Sequence, residues 1–140
     1  MTIIKWEHFS HGADVGIRGM GSTLAEAFAM AAKALTCVVT EPDKIQPAIA
    51  ITINCKAPDA EILFIDWLNA IIFQMDARQM LFSEFQVHIT PAMHLTAVIK
   101  GEKINRLKHQ PAVDVKGATY NELHVVKKKK QWIAQCVVDV

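Results

Sequence analysis

Two carboxylates are the residues best placed to do chemistry in this chain. Asp14 lies in Ser10-His11-Gly12-Ala13-Asp14-Val15-Gly16. Glycines on either side let a turn present its carboxylate beside free backbone carbonyls, although an Asx-turn, in which Asp14 bonds its own backbone amides, accounts for the same residues. Asp139 lies in Val137-Val138-Asp139-Val140. Strand alternation puts it on the face of Ile133 and Val137, at the end of an apolar run. The sequence stops one residue later, which brings the α-carboxylate of Val140 close to the Asp139 side chain. Negative groups this close repel unless a cation sits between them. Hard oxygen donors suit Ca²⁺, Mg²⁺ or Mn²⁺ and not zinc. The alternative is a solvated, fraying tail.

Other groupings offer less. His8, His11 and Asp14 have the spacing H-x₂-H-x₂-D, a donor set for iron or zinc, but no helix aligns them. His88, His94, His109 and His124 stand alone and read as surface or satisfied core residues. Lys116, in Val115-Lys116-Gly117-Ala118-Thr119-Tyr120, could reach a phosphate or carboxylate as a point charge, or simply protect a sheet edge. The run Lys127–Lys130 looks like a phosphate patch, yet at a hairpin tip it reads more simply as a solvated turn. No P-loop, GxSxG or HExxH is present. The spacing of Gly16-Ile17-Arg18-Gly19-Met20-Gly21 is wrong for a dinucleotide fingerprint. Cys37, Cys55 and Cys136 have no paired spacing and sit in apolar surroundings, as expected of small hydrophobes in a reducing compartment.

The elements that must position these groups are legible from periodicity. Ile4, Trp6 and His8 alternate with Lys5 and Glu7 as a first strand, and a short second strand surrounds Val15–Arg18. Thr23-Leu24-Ala25-Glu26 is a capping box, and Leu24, Phe28, Ala31 and Leu35 continue it as a helix to about Thr36. Ile49 to Cys55 alternates as a strand. Asp59 caps a second helix that ends near Arg78. Strands follow over Phe82–Ile89 and Leu95–Ile99, then a loop or short helix over Gly101–Gln110. Thr119–Val126 and Gln131–Val138 read as a hairpin about the lysine run. Adjacent strand pairs with two intervening helices predict an α+β class, with largely antiparallel sheets layered with two main helices in a single domain.

Composition bounds the partners. The chain has 140 residues, 51% hydrophobic and 21% charged, with 15 Lys+Arg against 14 Asp+Glu. That is one domain with a proper core, and it excludes disorder. Near-zero net charge supplies no global attraction for phosphate backbones, so any nucleic-acid contact must be local or carried by a partner. Apolar runs fall short of the ~20 residues a membrane span needs, and the first residues lack a secretory pattern. A cytoplasmic protein is expected.

Five windows together resemble the archease family, small proteins that assist the RtcB-type GTP-dependent RNA ligase. They are His11-Gly12-Ala13-Asp14-Val15-Gly16, Thr23-Leu24-Ala25-Glu26-Ala27-Phe28, Asp66-Trp67-Leu68-Asn69, Val115-Lys116-Gly117-Ala118-Thr119-Tyr120-Asn121-Glu122-Leu123 and Val138-Asp139-Val140. The resemblance implies a non-enzymatic protein that promotes guanylylation of the ligase and its repeated turnover in joining RNA ends, in tRNA splicing or repair. It implies a divalent cation on Asp14, Asp139 and Val140, an activating role for Lys116, and supporting places for His11 and Asp114. RNA and GTP would be met through the ligase. Gly12 stands where many relatives carry threonine, which would relax the turn aiming Asp14, and Gly117 stands for a common alanine. Two other readings use the same residues. One is a metal-dependent phosphoester hydrolase built on the acidic cluster; the other is a general chaperone, suggested by the apolar content.

Overall fold

The computed structural model describes residues 3–140. Its elements are β1 (Lys5–His11), β2 (Asp14–Gly21), α1 (Leu24–Val39), β3 (Ile49–Lys56), α2 (Ala60–Arg78), β4 (Met80–Ile89), β5 (His94–Lys103), α3 (Arg106–His109), β6 (Gly117–Ala118), β7 (His124–Lys128) and β8 (Gln131–Asp139). All strand pairs are antiparallel. One sheet runs β1-β2-β8-β6, with β7 also pairing β8, and the other runs β3-β5-β4. Both long helices pack against both sheets, so the fold is the expected α+β arrangement.

The helices begin where the sequence caps them. Thr23 Oγ1 accepts the Glu26 amide at 3.1 Å, and Glu26 Oε1 accepts the Ser22 and Thr23 amides at 2.9 and 3.1 Å. Asp59 Oδ1 accepts the Ile62 amide at 2.9 Å at the start of α2. Each cap satisfies amides that have no partner inside the helix. α1 continues three residues beyond Thr36 to Val39, since Val38 and Val39 still pack on the core. The indole N–H of Trp67, fully buried on α2, donates to Phe28 O of α1 at 3.0 Å. This bond fastens the helices to each other while the ring fills the core. Ile17, Ala134 and Cys136 face Phe82, Leu95 and Ile99 across that core.

Two expectations need correction. The segment Thr119–Val126 is not one strand: only Gly117–Ala118 and His124–Lys128 are extended along β8. Between them Glu122 takes φ 54° and the Leu123 amide turns back to Tyr120 O. A left-handed residue cannot continue a pleated ladder. The polar stretch after Gly101 stays in β5 to Lys103 and only then forms α3.

α1 lies close against β2 because that strand is glycine-rich. A Cβ on Gly19 would stand 2.1 Å from Ala27 O and 2.3 Å from the Ala31 nitrogen, both main-chain atoms that cannot swing aside. Gly19→Ala should therefore destabilise the fold by about 1–3 kcal/mol, as overpacked cores do, and lower Tm by several degrees in thermal unfolding. Gly117→Ala, whose added Cβ would meet only Asn69 Oδ1 at 3.6 Å, should leave Tm unchanged. Equal Tm for both variants would contradict the close seating of α1.

Candidate functional site

The two ends of the chain meet in the five-stranded sheet. In the β2–β8 register Val15 pairs with Val138 and Arg18 with Gln135; the pairing ends there, and one further step along it would set Asp14 opposite Asp139. Their shared face is fixed by the side chains along the ladder. Arg18 Nε donates to Gln135 Oε1 at 2.8 Å, and the period of two carries Asp14 and Asp139 to that same side. Side chains directly opposite on an antiparallel pair stand about 4.5–5.5 Å apart at Cβ, and like charges there destabilise the pair. The Val140 amide donates to Asp14 Oδ1 at 3.3 Å, closing the contact across 126 residues. Neither Asp14 nor Asp139 forms an ion pair with a basic side chain among the described residues.

The row extends to both sides. His11 pairs with Asp14 across the β1–β2 turn, and Gly117 pairs with Asp139. His8 does not join it: its Nε2 donates to Ala34 O at 2.8 Å on the face that α1 covers. Three residues along a strand reverse a side chain's direction, so the H-x₂-H-x₂-D spacing splits His8 from His11. Gly12 takes φ +59° with nothing near its absent Cβ. This backbone favours glycine over threonine, so the departure seen in the sequence suits the turn rather than relaxing it.

Two carboxylates on one face are hard oxygen donors of the kind a divalent cation takes, and main-chain oxygen at Val140 would be a third source. Among the described residues no three His, Cys, Asp or Glu side chains gather as a metal cluster, so the two acids by themselves do not complete a cation site. Burial disfavours the thiolate at all three cysteines, pushing Cys136 up to about 12 and Cys37 to about 11, and Cys55 upward as well.

Lys116 approaches from the far side of β8. Its amide donates to Asp139 O at 2.8 Å, while its exposed side chain lines a groove of about 530 Å³ between α2 and the 104–116 segment. Asp114 lines this groove too and has no hydrogen bond to Asp14 or Asp139 among the described residues. It precedes the first residue of β6 and so lies outside the row. Asn69, quoted in a motif but given no role, accepts the Ala118 amide at 2.8 Å and ties β6 to α2.

A second anchor was not legible in the sequence at all. Glu102 accepts from Lys108 Nζ at 2.6 Å, the Gln46 amide at 2.9 Å and His109 Nε2 at 2.9 Å. His109 is fully buried, and its Nδ1 accepts the Asn105 amide at 2.8 Å, so the ring proton sits on Nε2. Thr40 Oγ1 donates to His109 O, and the Ala112 amide donates to Val39 O at 2.8 Å. These bonds pin the segment leading into Lys116.

With Lys108 the largest influence, then the Gln46 amide and His109, the Glu102 carboxyl is held at about 2 instead of its usual 4.5. A depressed folded-state value stabilises the fold above the unfolded value, and that contribution fades as pH falls through the folded one. The Tm difference between wild type and Glu102→Gln should be full above pH 4.5 and vanish near pH 2. A pH-independent difference would show that the anchor works without the charge.

The sequence pattern described as the archease protein family (MTH1598/TM1083) matches residues 6–140. The protein archease of Pyrococcus furiosus is 35% identical over 140 residues, covering 97% of this chain and 99% of that protein. The protein archease of Sulfurisphaera tokodaii is 36% identical over 137 residues with the same coverage. The solution structure of protein 1598 of Methanobacterium thermoautotrophicum superposes with a TM-score of 0.80 at 25% identity, covering 96% of this chain and 98% of that one. A Thermotoga maritima crystal structure, described as an archease and possible chaperone, shares the fold with a TM-score of 0.59 at 14% identity, covering 96% of each chain.

Proposed function

Because this chain belongs to the archease family, we propose that it is a divalent-cation-binding activator of an RtcB-type RNA ligase, promoting the ligase's guanylylation by GTP. The observation that carries the reading is the Val140 amide on Asp14 Oδ1 beside the Val15–Val138 pair, a register that carried one step further puts Asp14 opposite Asp139, with no basic side chain paired to either acid among the described residues. Ca²⁺, Mg²⁺ or Mn²⁺ held by Asp14, Asp139 and the Val140 carboxylate would supply the missing positive charge and help order nucleotide phosphates. His11, in the same row, would steady that site.

Lys116 is the group this chain would offer to the ligase or its nucleotide. Its backbone is bonded to Asp139 and its side chain is exposed, so a charge beside the cation site faces outward without leaving the scaffold. The role is accessory: the ligase performs the RNA joining and this chain raises the rate at which it is charged. No helix among the described residues is long and apolar enough to cross a membrane, which suits a partner met in solution.

Asp139→Asn should weaken Ca²⁺ or Mn²⁺ binding at least tenfold by calorimetry, about 1.4 kcal/mol, and abolish stimulation of ligase guanylylation. The fold should persist, since a carboxylate at the end of β8 contributes little packing. Unchanged Mn²⁺ affinity would remove Asp139 from the site. Turnover of a phosphoester by the purified protein with Mn²⁺, lost in the same variant, would favour hydrolysis instead.

Lys116→Ala should bind cation as wild type does yet stimulate guanylylation at least tenfold less. Full stimulation would reduce Lys116 to an edge lysine that shields β6.

A further inference from the structure

The lysine run at the β7–β8 turn is absorbed by neither the cation site nor the groove. We infer that Lys127–Lys130 is a binding site for the phosphates of single-stranded RNA, separate from the cation site. The choice of RNA as the polyanion rests on the ligase reading above; the binding surface itself does not.

Charge distribution is the first support. Four of the 15 Lys+Arg lie in these four consecutive positions, leaving 11 against 14 Asp+Glu in the rest of the chain. An otherwise acidic molecule thus concentrates its positive field on one tip. Lys127, Lys128 and Lys129 form no ion pair among the described residues. Glu26, on the neighbouring row beside Gly21, is already bonded to Ser22 and Thr23.

Backbone conformation is the second. Lys128 pairs with Gln131, so Lys129 and Lys130 form a two-residue turn, and Lys129 takes φ 58°. The left-handed region is unfavourable for a non-glycine residue, and glycine or asparagine would sit there more easily. The chain keeps a lysine there instead. All four residues are exposed, and the β7–β8 ladder holds their backbone rigid. A backbone held this way needs little ordering when a polyanion docks, which leaves only the side-chain stems to be immobilised.

Position is the third. β8 runs from Gln131 at the turn to Asp139 at the cation site, about 27 Å at ~3.4 Å per residue. RNA can therefore lie on one end of the sheet while the other end faces the ligase. Lys5 at the start of β1 stands at the RNA end, where Gln131 Nε2 donates to Ile3 O at 2.9 Å.

The test uses fluorescence anisotropy of a labelled oligouridylate of about 20 nucleotides, titrated with the full chain in a KCl series without ligase. Wild type should bind with log K falling on log salt at a slope near −3, as about four phosphate contacts on a single strand require. The variant K127Q/K128Q/K129N/K130Q should bind at least tenfold more weakly with a slope near zero. Its Tm should be equal or higher, and its stimulation of guanylylation, a step without RNA, should be unchanged. Equal RNA affinity and slope in the two proteins would overturn the proposal. So would binding to phosphatidylserine vesicles but not to RNA, which would make the turn a membrane contact. If wild type fails to stimulate guanylylation, the ligase reading falls while the RNA isotherm still decides this site.

Discussion

The pairing of β2 with β8 is the constraint on which the site depends. It joins residues at opposite ends of the chain in a continuous antiparallel register, and that register alone decides which side chains share a row. A slip of one residue would turn Asp139 to the helix-covered face and Cys136 out of the core. Burial of Ile17, Ala134, Cys136 and Val138 holds the register, so hydrophobic packing on one face of the strands sets the electrostatics on the other. Two carboxylates brought face to face in this way are a local instability that the proposed divalent cation would relieve.

Around this pair the scaffold is built from backbone anchors more than from side-chain charge. Asn69 holds β6, and the Glu102–His109 pair holds the segment before it. Because Nδ1 of His109 is occupied by an amide, the ring acts as a donor to Glu102 through a single tautomer. The outcome is a lysine whose main chain is fixed on both sides and whose side chain is exposed. Near-neutral overall charge leaves such local features to determine what the protein meets. The Asp14–Asp139 pair and the lysine turn sit at opposite ends of β8, so one strand separates the two surfaces proposed for recognition.

Legibility in the sequence varied from residue to residue. The caps at Thr23 and Asp59 were readable because they depend on groups three residues apart. The α+β class followed from where period two gives way to period 3.6. Asp14 and Asp139 could be singled out by neighbouring glycines and by strand alternation, but the sequence alone left turn and tail as open alternatives for them. The break at Glu122 was hidden, since its hydrophobic neighbours keep strand periodicity while its backbone does not. Glu102 and His109 gave no signal: each is an ordinary polar residue in a polar stretch, and only the fold buries one against the other. Asn69 stood in a recognisable motif, but its partner, a backbone amide 49 residues away, has no sequence signature.

What the sequence determined by itself was therefore local: helix starts, strand alternation, the glycines that admit close approach, and the list of groups able to bind a hard cation or a phosphate. These follow from forces acting within a few residues, and each residue carries its own part of them. The tertiary structure alone decided that His8 and His11 part to opposite faces, that Asp114 lines the groove instead of the acidic row, and that Asp14 lies against Val140. Those outcomes depend on which strands pair and in which register. That choice is made by burying every apolar face of the chain at once, a condition no short window contains.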